Sequence, residues 1–126
     1  MQAKGDCFEV NGKYFMKECS MDGNLDWRLA HGIVINARDH LPMTHCWIEY
    51  TNKLKFHNED GSKSMEFDIE WIRDIGNGLN FNGPKSQYYR VGKIDSKNVV
   101  LYTLGDYQEK CFFSGTHGPW DIDCER

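Results

Sequence analysis

No stretch of this 126-residue chain approaches the ~20 consecutive apolar residues that a membrane-spanning helix needs. The opening residues, MQAKGDCFEV, also lack the long apolar core of a secretion signal. The chain therefore reads as intracellular and cytoplasmic, with no membrane partner. Basic residues are scarce as well: 15 Lys and Arg face 19 Asp and Glu, for a formal net charge of −4. A protein that binds a phosphate backbone normally carries a basic stripe, so nucleic acid is not expected as a partner. No CxxC pair occurs among the five cysteines, Cys7, Cys19, Cys46, Cys111 and Cys124. Their odd number excludes a complete disulfide framework, and their spacing does not indicate a zinc ribbon. They read as reduced thiols, most of them small apolar packing residues. Internal repeats and low-complexity tracts are missing too.

What is present is an ordinary globular composition, 40% hydrophobic and 27% charged. The length suits one domain over residues 1–126, able to bury a core without disulfide or metal staples. Near the N-terminus two signals conflict. Asn11-Gly12 between apolar residues is a strong hairpin cue, whereas Asp6 followed by Glu9 resembles a capping box, with Phe8, Phe15 and Cys19 recurring at helical spacing. The second signal favours a helix from about Cys7 to Cys19, in which Gly12 is a tolerated interior glycine costing ~1 kcal/mol relative to alanine.

Strands are expected at Leu29–Asn36 and at Met43–Tyr50, the latter with His45, Trp47 and Glu49 on one face and Cys46, Ile48 and Tyr50 on the other. Thr51-Asn52-Lys53 reads as a turn into a third strand, Leu54–Asn58, and Asn58–Ser64 as a polar turn. Met65–Ile75 is either a strand or a short helix, and Ile75–Lys85, with Pro84, is a long loop. Gln87–Ile94 and Val99–Thr103 look like further strands. Thr103 and Asp106 cap a last helix whose inner face carries Leu104, Tyr107 and Cys111 and which ends near Gly115. Helix, antiparallel strands, helix is the order of an α+β protein.

Two residues in this layout point to chemistry. A cysteine in the first turn of a helix, Cys7, lies beside backbone N–H groups and the positive end of the helix dipole, which favour a thiolate. A histidine at the head of a facing strand, His45, can pair with that thiolate and later protonate a leaving group. Nearby, Trp47 and Glu49 are candidates for lining the cleft as substrate-binding residues. His31 could reach the same site, although a lone histidine in an apolar strand is more often a hydrogen-bonded core residue. His117, Cys111 and Cys124 lack the spacing of metal ligands, so neither metal nor organic cofactor is implied.

The blocks DCFEVNGKYFM, LAHGIVI, THCWIEY, QYYRVGKI, VVLYT and THGPWD, in that order from Asp6 to Asp121, resemble a family of small bacterial and phage-encoded papain-like proteins. In that family a cysteine opens the first helix, and a strand begins with a histidine in a His-Ala-Trp-Val-Glu type segment. The resemblance implies a papain-like α+β fold, an N-terminal helix packed on a small antiparallel sheet with a C-terminal helix. It also implies a cysteine hydrolase or acyltransferase, with Cys7 as nucleophile, His45 as base, and a peptide, protein or small-molecule acyl compound as substrate.

A papain-like site also needs a residue that orients the histidine ring, which in the resembling proteins is an Asp on the strand after the histidine strand. Here the expected third strand ends KFHNED, so His57 is the nearest match, with Asn58 beside it. A tight turn at Thr51-Asn52 would put Asn58 across from His45 on the same face and His57 on the other. Asp60 and Asp68 are acidic alternatives. A non-catalytic module on the same fold, one that sequesters a small ligand or blocks a host protein, is the competing function.

Overall fold

The computed structural model describes residues 7–22, 26–61 and 64–122. The first of these segments is a single helix, α1 (Cys7–Asp22), with Asn11-Gly12 inside it and no hairpin. Its buried positions, Cys7, Phe8, Asn11, Gly12, Phe15 and Cys19, recur every three or four residues and form one inward face. Gly12 has a positive reason to be there: a Cβ at this position would stand 2.0 Å from the Tyr107 hydroxyl. The glycine lets a second aromatic-bearing helix approach closely, which propensity alone does not reveal.

Five strands follow: β1 (Arg28–Ile35), β2 (Pro42–His57), β3 (Ser64–Asp74), β4 (Phe81–Pro84) and β5 (Val100–Tyr102). They form one antiparallel sheet in the order β4-β3-β2-β1-β5. Two further helices complete the α+β architecture, α2 (Lys85–Gly92) and the C-terminal α3 (Leu104–Ser114). At the head of α3, Thr103 Oγ1 accepts from the Asp106 N–H at 3.1 Å, and Gly115 ends the helix with a left-handed φ of 70°. Both caps match the sequence expectation.

The largest departure is in β2. Thr51-Asn52-Lys53 does not turn; these residues pair with Glu70, Ile69 and Asp68, and the strand runs unbroken to His57. The chain reverses after Asn58, where the Gly61 N–H donates to the Asn58 carbonyl at 2.8 Å. The β2–β3 hairpin extends past the helices, so Met65, Glu66, Phe67, Asp68 and Glu70 are all exposed. Thr51, Asn52 and Lys53, three successive polar residues, interrupt the apolar alternation of β2 and imitate a turn in sequence.

Two other expectations are corrected. Gln87–Ile94 is not a strand: α2 begins directly after Pro84, and Lys93 closes it in the left-handed region. The β-prone Tyr88 and Tyr89 lie on its inner face because the sheet beneath needs an apolar cover, and burial overrides local propensity. The expected loop 75–85 contains β4, an edge strand whose single paired side tolerates Gly83 and Pro84.

The sheet separates two cores. On one face α1 and α3 bury Cys7, Phe8, Phe15, Leu29, Cys46, Ile48 and Tyr107. On the other, Ala30, Trp47 and Ile72 are covered by Tyr88, Tyr89, Phe81 and Ile94. Successive residues of β2 supply the two cores alternately, as the period of a strand requires.

Candidate active site

Pairing between β2 and β3 stops at Ile48 and Arg73. Between His45 and Trp47, β2 therefore has β1 on one side and no strand on the other. Asn11 of α1 fills the gap. Its Nδ2 donates to the Cys46 carbonyl and to Asp74 Oδ1, both at 3.0 Å, and its Oδ1 accepts from the Ile75 N–H at 3.1 Å. A buried side-chain amide thus takes the place of a missing rung and ties α1 to both strands. Backbone groups left unpaired there would cost about 1–3 kcal/mol each.

That strut brings Cys7, one helical turn before Asn11, to His45 at the open end of the sheet. The ring of His45 is anchored at one nitrogen. Its Nε2 lies 2.8 Å from Asp74 Oδ2, and because an ionised carboxylate only accepts, Nε2 carries a hydrogen. The Cys7 thiol neighbours the same ring and helps to raise its pKa. Nδ1 has no hydrogen-bond partner among the described residues. Cys7, His45 and Asp74 thus stand in the order thiol, imidazole, carboxylate.

Asp74 is held from every direction. Oδ2 also accepts from the Tyr88 hydroxyl at 2.6 Å, and Oδ1 accepts from the Gly76 N–H at 2.9 Å as well as from Asn11. Four donors on one buried carboxylate saturate its lone pairs. The turn after β3 needs glycine for a different reason: a Cβ on Gly76 would lie 2.5 Å from the Cβ of Cys7. The backbone of this turn packs directly against the thiol-bearing residue.

The electrostatics follow from this enclosure. Burial opposes charge on His45, but the hydrogen bond to Asp74, then the Cys7 thiol beside the ring, and the charges of both outweigh it and raise its pKa to about 10. Burial likewise opposes charge on Asp74, yet the hydrogen bond from His45 and the positive ring beside it, with Tyr88 and Gly76, hold its pKa below the usual carboxylate value. The pair is thus held as imidazolium and carboxylate, the state in which His45 has a proton to give. Burial and the Asp74 charge push Tyr88 far above the usual phenol range, so its hydroxyl remains a donor.

Of the residues singled out from sequence, Cys7 and His45 meet. Asn58 and His57 do not join them. His57 is twelve residues further along the same unbroken strand, about 40 Å away at ~3.3 Å per residue, and both it and Asn58 are exposed. The expectation that either orients His45 fails because the turn at Thr51-Asn52 does not exist. Asp60 lies in the distal turn and Asp68 midway along the exposed extension, opposite Lys53.

Trp47 and Glu49 are buried structural residues. Trp47 Nε1 donates to Glu49 Oε2 at 2.9 Å, the Tyr89 hydroxyl donates to the same oxygen, and Lys85 Nζ lies 3.0 Å from Oε1. His31 is fully buried on β1, edge-on to Phe8 and Tyr102, with neither ring nitrogen hydrogen-bonded among the described residues. Burial lowers its pKa to about 4, only partly offset by Asp121. It is a neutral core ring away from the triad.

The residue that sequence reasoning missed is Asp74. Its signal was the alternation of MEFDIEWIRD, a strand-length run whose last acid precedes Ile75-Gly76. Read as the strand after the histidine strand, that run puts an Asp where the resemblance asks for one. Among the described residues, no group of three or more His, Cys, Asp or Glu is placed to hold a metal ion, and Cys124 lies outside them. No helix among them is long and apolar enough to cross a membrane. No family model, curated protein or solved structure matches the chain.

Proposed function

We propose that this chain is a papain-like cysteine hydrolase or acyltransferase acting on an amide or thioester-type acyl group of a peptide, protein or small molecule. The observation that carries the reading is the His45 ring, fixed at Nε2 by Asp74 and neighboured by Cys7 at the start of α1. A thiolate at Cys7 attacks the acyl carbon, and the carbonyl oxygen becomes an oxyanion. The first backbone N–H groups of α1, which have no partner within the helix, are suited to hold it. As the bond to the leaving nitrogen or sulfur breaks, His45 gives that atom its proton and the acyl group stays on Cys7 as a thioester. Neutral His45 then takes a proton from water or an acceptor nucleophile, which attacks the thioester and releases the thiolate. Asp74 keeps the ring oriented throughout and stabilises the imidazolium.

The burial of Cys7, only 1% exposed, favours a second reading, a non-catalytic binding module in which the three residues are structural. Attack requires the structure that buries Cys7 to open. Intact-mass spectrometry after exposure to an aryl thioester separates the two. The enzyme gains one acyl group on Cys7 and turns over, and Cys7→Ala does neither; a wild-type protein that is never acylated at Cys7 contradicts the catalytic reading.

A further inference from the structure

Tyr88 enters the site from the side opposite α1. Its ring lies on α2 between Phe81 and Trp47, with centroids 5.1 and 5.4 Å away, and only its hydroxyl reaches across to Asp74. The oxygen it meets, Oδ2, is the one His45 also meets, whereas Asn11 and Gly76 share Oδ1. Of the two donors on Oδ2, the imidazole cycles between charged and neutral forms in the proposed reaction and the phenol does not.

We propose that Tyr88 is a positioning residue of the Cys7–His45–Asp74 group, whose hydroxyl, donated to the Asp74 oxygen that holds His45, sets how tightly the imidazole is gripped. The inference rests on the functional reading above. Its physical content is competition: a hydrogen bond donated to Oδ2 draws off negative charge that would otherwise stabilise the imidazolium. A base that must both give and take a proton works best when its pKa is not driven far from the working pH. Tyr88 therefore moderates the grip of Asp74 on His45 while fixing the direction in which Oδ2 points. The ionisable groups that face this pair are Asp74 from the end of β3, Cys7 from α1 and Cys46 from β2. The burial of Cys46 keeps its thiol uncharged and raises its pKa, so Asp74 and Cys7 carry the response.

The test is the titration of the His45 ring, followed by NMR in the full chain, for wild type and Tyr88→Phe. Phenylalanine keeps the packing against Phe81 and Trp47 and removes only the hydroxyl. The variant should titrate higher than wild type by roughly half a pH unit or more. A folded Tyr88→Phe protein whose His45 titration is unmoved, or moves down, overturns the proposal, since a merely structural tyrosine would alter stability and not this curve. Incorporating 3-fluorotyrosine at all six tyrosines provides a test independent of that variant's folding. The fluorinated phenol is a stronger donor, so the His45 titration should move down, and no movement overturns the inference. Cys7→Ser distinguishes this failure from that of the functional reading: an unchanged His45 titration there breaks the Cys7–His45 link and leaves the Tyr88 result interpretable.

Discussion

Two thiol–imidazole neighbourhoods among the described residues lie at opposite ends of helices. Cys7 opens α1 and faces His45, whose far nitrogen is fixed by a carboxylate. Cys111 lies in the last turn of α3, 3.9 Å from His117 Nδ1, and that nitrogen is already engaged by the Tyr107 hydroxyl at 2.5 Å. The positive end of a helix dipole stabilises negative charge in the first neighbourhood, and the negative end opposes it in the second. Among the described residues the second imidazole has no carboxylate partner in its hydrogen bonds, and it shares its thiol-facing nitrogen with a phenol. Residue types alone would rate the two pairs equally. Helix direction and the third residue separate them.

The sharpest way to break that comparison is to remove each thiol. Cys7→Ala should lower acyl transfer from an aryl thioester by roughly a thousandfold or more, while Cys111→Ala leaves it nearly unchanged. Comparable losses would mean the helix-end argument is wrong.

Next in size is loss of the orienting carboxylate. Asp74→Asn should reduce turnover roughly a hundredfold or more. It should also cost about 3 kcal/mol in urea unfolding, because four donors lose a charged acceptor inside the protein. Asn11→Ala should cost about 2 kcal/mol by leaving the Cys46 carbonyl and the Ile75 N–H without their strut.

pH provides a third test. The pKa of His45 is raised in the fold, so its contribution to stability is fully present below about 6.5 and is lost as pH rises through about 10. The pKa of Asp74 is lowered, so its contribution is present above the ordinary value of 3.8 and is lost as pH falls through the lower folded value. Urea melts from neutral to alkaline pH should show this loss in wild type and lack it in His45→Gln. His31 works in the acid direction: its pKa is depressed, so stability is intact above 6.5 and falls as pH drops toward about 4.

Smaller still is the effect at Gly12, where alanine would press on the Tyr107 hydroxyl and cost roughly 1–3 kcal/mol in thermal unfolding. The smallest belongs to the residues at the far end of β2. Asn58→Ala and His57→Ala should each change stability by less than about 0.5 kcal/mol and leave acyl transfer intact.

That last pair shows where the sequence is hard to read. Elements that face the core were legible: α1 from its helical spacing of apolar residues, β1 from its β-branched run, the first half of β2 from alternation, and α3 from Thr103 and Gly115. The same signals identified Cys7 and His45. Legibility failed where tertiary contact overrode local chemistry. Asn11-Gly12 looks like a turn because nothing in the local sequence says that Asn11 will bridge two strands or that Gly12 must make way for Tyr107. Thr51-Asn52-Lys53 looks like a turn because three successive polar residues interrupt the alternation of β2, although its pairing with β3 continues through them. That single error moved the strand after His45 to the wrong residues and hid Asp74. Tyr88 was hidden by its own β-propensity, which the need to cover Trp47 and Phe81 overrode.

The account turns on one interaction, the coupling of Cys7 to His45. The direct measurement is the NMR titration of the His45 ring in wild type and in Cys7→Ser, with the fold of each checked by the remaining spectrum. With the thiol present, His45 should hold its proton far into the alkaline range, and with serine in its place the titration should fall toward the ordinary histidine value. Identical titration curves in the two proteins would contradict the pairing and, with it, the catalytic reading of the site.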